Sequence, residues 1–223
     1  APAAIEGAVV SSTANKATIR MPDAPGQYRL FAYAYDEAGN AATANIPLLV
    51  KGEVRPRMPF AVYRDGFEAM PWVPSGWMGN TESLTLDGAY ADEVHEGGAA
   101  IRMRYTGTYG WVGVAWQHPA NNWGEQDGGF DLTGATALEL WAKGEYGGEK
   151  VTFGVGLLDA DRAYPDSAIA KTDTIALTSA WQQFRIRLKG KDLSSLKTGF
   201  VVTLQGRTSP VTVYLDSIRF IRE

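Results

Sequence analysis

The sequence predicts an all-β protein, a β-sandwich of jelly-roll type preceded by a smaller β segment. Two observations predict it. Apolar residues recur at period two in short runs, and Gly, Pro, Asn and Asp break those runs at close intervals. Almost no stretch carries the 3.6-residue period of an amphipathic helix. A chain of 223 residues is long enough for one or two domains with a substantial core.

Residues 1–50 hold three strand candidates, at 17–21, 28–35 and 41–50. Between the last two, Asp36-Glu37-Ala38-Gly39-Asn40 has the composition of a hairpin loop, with Gly39 available for a positive φ. The phrase from Pro25-Gly26-Gln27-Tyr28 through Tyr35-Asp36, followed by Gly39-Asn40-Ala41-Ala42, resembles the last strands of an immunoglobulin-like module of the kind common in secreted bacterial enzymes. Such a sandwich needs about seven strands. Three make only a partial module, whose front is missing or which packs on something else. Residues 51–59, charged and with two prolines, read as a linker.

Residues 60–223 read as one domain. Ile101, Met103 and Tyr105 alternate with Arg102 and Arg104. Val151, Phe153, Val155 and Leu157 alternate with Thr152, Gly154 and Gly156, and Phe184, Ile186 and Leu188 with Arg185, Arg187 and Lys189. Strands at this spacing, joined by turns, give a β-sandwich or jelly roll.

Composition narrows the function. Lys plus Arg is 21 and Asp plus Glu is 25, a formal balance of 21 − 25 = −4, with no basic cluster. That argues against nucleic-acid binding, which needs phosphate neutralisation. Zero cysteine excludes disulfides, thiolate zinc sites and cysteine nucleophiles. Two histidines, His95 and His118, leave little room for histidine-rich metal or triad chemistry. No apolar run approaches the ~18 residues of a membrane helix. Ala1-Pro2-Ala3-Ala4 lacks the charged start and apolar stretch of a signal peptide, so the chain reads as a mature or trimmed product. The excess lies in aromatics and in 25 glycines, which suits an all-β protein with flat binding surfaces.

Tyr109–Gly124 is the most informative segment. At period two, one face carries Val112, Val114 and Trp116, which suits a core. The other carries Trp111, Gly113, Ala115 and Gln117: a large aromatic, two tiny residues and an amide. Thr152, Gly154 and Gly156 offer a second small-residue face, and Val201, Thr203 and Gln205 a third. Strands like these in one sheet would carve a trough with Trp111 as wall or floor. Sugars suit that architecture, because the C–H face of a pyranose stacks on an aromatic ring while its hydroxyls need polar groups around the rim. Candidate rim groups are Gln117, Asn121, Asn122, Gln205 and Arg207, with Asp159, Arg162 and Tyr164 from the loop after 151–158. Trp123 is either a sugar contact or a loop plug. Trp141 and Trp181 are expected in the core. Trp72 and Trp77, which flank Pro74-Ser75-Gly76, are either a second aromatic wall or a staple over a sandwich end.

In the last strand the apolar parity slips. Val211, Val213 and Leu215 share one parity and Ile218 and Phe220 the other, which predicts a β-bulge at Asp216-Ser217. A terminal strand Tyr214-Leu215-Asp216-Ser217-Ile218-Arg219-Phe220, with an early Asp65-Gly66-Phe67-Glu68, resembles the jelly-roll, galactose-binding-domain-like carbohydrate-binding modules of secreted bacterial glycoside hydrolases. The likeness covers residues 60–223 and is strongest at 110–124, 131–136, 181–188 and 213–220. In many such modules a calcium ion ties the first strands to the last. Carried over, that implies Glu68, Asp216 and a carbonyl near Gly98 as calcium ligands, with Ca2+ in a structural role. The resemblance also implies a polysaccharide or oligosaccharide ligand, a catalytic domain elsewhere in the parent enzyme, and a secreted or cell-surface bacterial location.

Three functions stay open. One is non-catalytic carbohydrate binding, accessory to a glycan-degrading enzyme. Another is a calcium-stiffened structural or interaction module. The third is a catalytic jelly-roll hydrolase or lyase. No tight carboxylate triplet, nucleophile elbow or zinc helix appears in the sequence, which favours the first.

Overall fold

The computed structural model describes residues 5–13, 15–22, 25–52 and 55–223. Two compact units divide the chain at Arg55/Pro56. Of the expected linker, residues 53 and 54 lie outside the described residues.

The first unit is two antiparallel hairpins. β1 (Val9–Thr13) pairs with β2 (Lys16–Ile19), and β3 (Gly26–Tyr35) pairs in full register with β4 (Ala41–Val50). β1 was not expected from sequence, because Val9-Val10-Ser11-Ser12-Thr13 has no alternation. The Asp36–Asn40 loop closes as its residues dictate. Asp36 Oδ1 accepts the N–H groups of Ala38 and Asn40 at 3.0 and 2.8 Å, and Gly39 takes φ +81°. The Asn40 side chain also donates to Asp36, and these bonds hold the Asp36 carboxyl below the ordinary aspartate range.

The second unit is a two-layer antiparallel sandwich. Its strands are β5 (Phe60–Tyr63), β6 (Val73–Gly79), β7 (Leu84–Tyr90), β8 (Ala100–Tyr105), β9 (Trp111–Gln117), β10 (Ala137–Gly144), β11 (Lys150–Val155), β12 (Ala170–Lys171), β13 (Ile175–Ala176), β14 (Gln182–Arg187), β15 (Thr198–Gln205) and β16 (Val211–Ile221). One sheet runs β14-β10-β16-β8-β7, with β5 also on β16. The other runs β12-β11-β15-β9-β6, with β13 also on β11. The core lies between them. Val112, Val114, Trp116, Phe153, Phe200, Val202 and Leu204 from the second sheet meet Ile101, Met103, Leu138, Leu140, Val213 and Leu215 from the first.

The parity slip in β16 is a bulge. Trp141 stands opposite Asp216 while Glu139 stands opposite Arg219, and Ser217 takes φ +48°. The extra residue keeps both Leu215 and Ile218 in the core. It also marks the point where β16 exchanges its neighbour β8 for β5.

Two tryptophans differ from expectation. Leu138, Leu140 and Ala142 take the inward positions of β10, so Trp141 shares the outward face with Glu139 and Lys143. There it lies under His95, with ring centroids 3.7 Å apart and planes 16° apart. Trp181 packs edge-on to the same His95 ring. Both are structural, but they roof the outside of the sheet and do not fill the core. Trp72 is the staple: fully buried among Phe60, Phe130 and Phe220, with Gly199 leaving room for its ring.

Candidate carbohydrate platform

The outward face of the second sheet brings the small-residue strands together. Trp111 pairs with Gln205, Gly113 with Thr203 and Ala115 with Val201. Thr152 pairs with Thr203 and Gly154 with Val201, and Lys171 stands beyond Gly154. On the other side Gly76 faces Ala115 and Met78 faces Gly113. Space is tight at Gly113, where a Cβ would come within 3.1 Å of both Met78 and Thr203, and ordinary at Gly154, where the nearest atom would be 3.4 Å away. The middle of the face is small and covered, with Ala115 0% and Val201 8% exposed, while Trp111, 48% exposed, stands at one end. From Trp111 to Gln117 the strand spans about 20 Å at ~3.4 Å per residue.

Trp111 is held from below and behind. Its carbonyl accepts the Asn80 N–H at 3.1 Å, and its indole lies against Gly79, where a Cβ would be 3.3 Å from Cδ2. Ahead of it, the left-handed pair Tyr109-Gly110 makes a turn that leaves Tyr109 71% exposed. That turn rests on Gly206, whose N–H bonds the Gly110 carbonyl and whose Cα hydrogen points at the Tyr109 carbonyl. Tyr109 is a further candidate that period-two reasoning passed over, since it precedes the strand; its position beside Gly110 in a turn was the available signal.

Two loops build the other end. Asn122 is buried, and its Oδ1 accepts N–H from Gly124, Glu125 and Gln126 while its Nδ2 donates to the Gln126 carbonyl. This fixes the loop that carries Asn121, exposed, and Trp123, half-buried. The second loop is fixed by Asp166, whose carboxylate accepts four backbone N–H groups, from Leu157, Leu158, Lys197 and Thr198. It carries Arg162 and Tyr164, both exposed. The loops meet where Tyr164 N–H donates to the Gly124 carbonyl at 3.0 Å and Arg162 packs over Gly124.

The predicted rim thus divides. Trp111 and Gln205 stand at one end of the face, and Asn121, Trp123, Arg162 and Tyr164 at the other. Gln117 and Asn122 do not reach solvent. Gln117 is fully buried, donating to the Asn122 carbonyl at 2.9 Å and accepting from Ser75 Oγ at 3.1 Å. Arg207 turns into the sandwich end, where it pairs at 3.1 Å with the fully buried Glu149 carboxylate. Trp77 stands opposite Val114, so it is on the core side at the sheet edge, and it is 42% exposed.

The expected calcium ligands are tied by hydrogen bonds. Asp216 is buried, with Oδ2 accepting His95 and Glu96 N–H at 2.9 and 3.0 Å and Oδ1 accepting Ser217 N–H. Gly98 gives its N–H to Asp65 at 2.6 Å, and Ala99 donates to the same oxygen. Glu68 is exposed, and no three His, Cys, Asp or Glu side chains among the described residues are grouped to hold a metal ion. Three amide N–H groups thus share the Asp216 carboxylate, while Glu68 and the Gly98 carbonyl, the other expected ligands, take part in none of these bonds.

Among the described residues no helix is long and apolar enough to cross a membrane. The model of the family called carbohydrate binding domain 30 matches residues 62–222. No curated protein matches the chain. A solved family 30 carbohydrate-binding module superposes at TM-score 0.50 with 21% identity, covering 73% of this chain and 97% of that one. The family 30 module of a cellulosomal cellulase of Clostridium thermocellum gives TM-score 0.44 and 22% identity, over 74% and 93%. The family 11 module of the same organism, solved with a β-1,3-1,4-mixed-linked tetrasaccharide, gives 0.45 and 15%, over 71% and 93%.

Proposed function

This chain belongs to the carbohydrate binding domain 30 family and is a non-catalytic carbohydrate-binding module, and from that premise we propose that the glycan lies across the outward face of β9, β15 and β11. The observation that carries this placement is Trp111, half-exposed at the end of a face otherwise floored by Gly113, Ala115 and Gly154. A pyranose stacks its apolar C–H face on the indole, burying apolar surface of both. Tyr109 extends the apolar wall. Thr203 and Gln205 offer hydroxyl and amide partners along the floor, and Asn121, Trp123, Arg162 and Tyr164 receive the far end of the chain.

The floor carries no carboxylate. Hydrolysis of a glycosidic bond needs two acids flanking it. A face of this composition works by holding the polymer near a catalytic domain elsewhere in the parent protein, which raises the effective concentration of that domain at its substrate. A polysaccharide too large to enter a cell is met outside it, so the parent enzyme is secreted or held at a bacterial cell surface.

Affinity electrophoresis through soluble β-glucan, xylan and mannan tests the placement. The intact chain is retarded by at least one of them, and Trp111→Ala loses most of that retardation. Undiminished retardation of the variant removes Trp111 from the site.

A further inference from the structure

We propose that the buried ion pair of Glu149 and Arg207 positions the Trp111 end of the platform for the glycan, an inference that rests on the placement of the glycan on β9, β15 and β11. The pair joins two turns at one end of the sandwich, each crossing from one sheet to the other. Residues 145–149 lead from β10 to β11, and residues 206–210 from β15 to β16. An Arg207 guanidinium nitrogen donates to Glu149 Oε1 at 3.1 Å, and the same oxygen accepts the Tyr146 N–H at 3.1 Å. The Glu149 side chain has no exposed surface. Gly144 leaves room for it, since a Cβ there would run into Oε2.

The second turn carries the connection to the platform. Gly206, next to Arg207, donates its N–H to the Gly110 carbonyl at 2.9 Å. It lies so close that a Cβ on it would come within 2.7 Å of the Tyr109 oxygen and 2.8 Å of the Gly107 oxygen. Gln205, before it, pairs with Trp111. The Tyr109-Gly110 turn and Trp111 therefore rest on the backbone of residues 205 and 206. Residues 208–210 are exposed, so Arg207 is the side chain that ties this turn to the body of the sandwich.

The pair is a poor device for stability alone. Desolvating a carboxylate and a guanidinium is repaid only when their remaining polar atoms are also satisfied, and apolar residues of similar volume often do as well. Here Glu149 Oε2 and Arg207 Nε are buried without a hydrogen-bond partner. What the pair supplies is direction. A planar guanidinium meets a carboxylate along fixed lines, which an apolar contact does not impose. A displaced 206–210 turn shifts the Tyr109 and Trp111 rings against the pyranose faces they stack on. Glu149 acts on the glycan only through Arg207 and this turn.

The test uses the whole chain in affinity gels with soluble β-glucan, xylan and mannan, run well below the melting temperature of each variant. Glu149→Gln keeps the shape of the side chain and removes its charge. The folded variant binds about fivefold more weakly. Its Gly206 amide exchanges with deuterium faster than in the parent, while amides in the middle of β15 keep the parent rate. Glu149→Gln with Arg207→Met, which buries no charge, loses no more affinity than Glu149→Gln alone, because the pair acts as a unit. A merely structural pair would lower the melting temperature and leave the affinity of the folded protein intact. Parent affinity in the folded single variant, or in the folded double variant where the single one does not fold, overturns the inference. If Trp111→Ala still loses binding in that case, the platform stands without it. A double variant much weaker than Glu149→Gln makes Arg207 a sugar contact and overturns the positioning role. Undiminished binding by Trp111→Ala, or an unsubstituted chain retarded by none of the three glycans, removes the platform and this inference together.

Discussion

The Gln117 side chain donates to the Asn122 carbonyl at 2.9 Å, and both residues are buried. Two side chains of the type that suits a sugar rim are instead spent on the loop backbone, Gln117 on the Asn122 carbonyl and Asn122 on residues 124–126. They clamp the loop over one end of the sheet and make that end a wall. The difference is measurable. Replacing Gln117 by Leu takes the side-chain donor from the buried Asn122 carbonyl, which costs ~1–3 kcal/mol in urea unfolding. Glycan affinity of the folded variant stays close to that of the parent. A large affinity loss at unchanged stability would return Gln117 to the rim.

Asp216 ties the bulge in β16 to His95 and Glu96 through their amides. Melting temperatures in excess chelator, with and without added calcium, test whether a cation adds to this tie at Glu68, Asp216 and the Gly98 carbonyl, and an unchanged value removes the expected calcium. Asp216→Ala leaves the buried Ser217 N–H and the half-covered N–H groups of His95 and Glu96 without their acceptor and costs ~1–3 kcal/mol. A melting temperature that falls in chelator and recovers with added calcium bears out the structural calcium.

Tyr214 makes stability fall at alkaline pH. Burial, with Glu145, Tyr90 and Glu93 adding to it and Arg102 opposing, pushes its phenol up to about 12. Burial, with Asp216 and Asp65 adding, also pushes Tyr63 up. A phenol that ionises later in the folded chain disfavours folding once the unfolded chain can ionise. The stability is whole below pH ~10, the ordinary tyrosine value, and is lost as pH rises from there through about 12. Tyr214→Phe flattens the decline in a series of melting temperatures across that window. An identical slope for the variant would remove Tyr214 as a cause.

Much of the sandwich was legible because strand parity is a local property. The alternation in 112–116 and 151–155 located the core face and, by subtraction, the small-residue face. The slip after Leu215 located the bulge. What parity could not supply was long-range. Glu149 and Arg207 are 58 residues apart and meet only when the sandwich end closes. The His95 ring that covers Trp141 comes from a loop 46 positions earlier, so an outward tryptophan looked like a core one. Gln117 has the parity of Trp111, and only the fold of the following loop decides that one is covered and the other open.

The glycan titration of Trp111→Ala against the intact chain bears most directly on the platform of β9, β15 and β11. The account predicts a folded variant, with the melting temperature of the parent, that has lost most of its affinity for the polysaccharide the parent binds. A folded variant that binds as the parent does would contradict it.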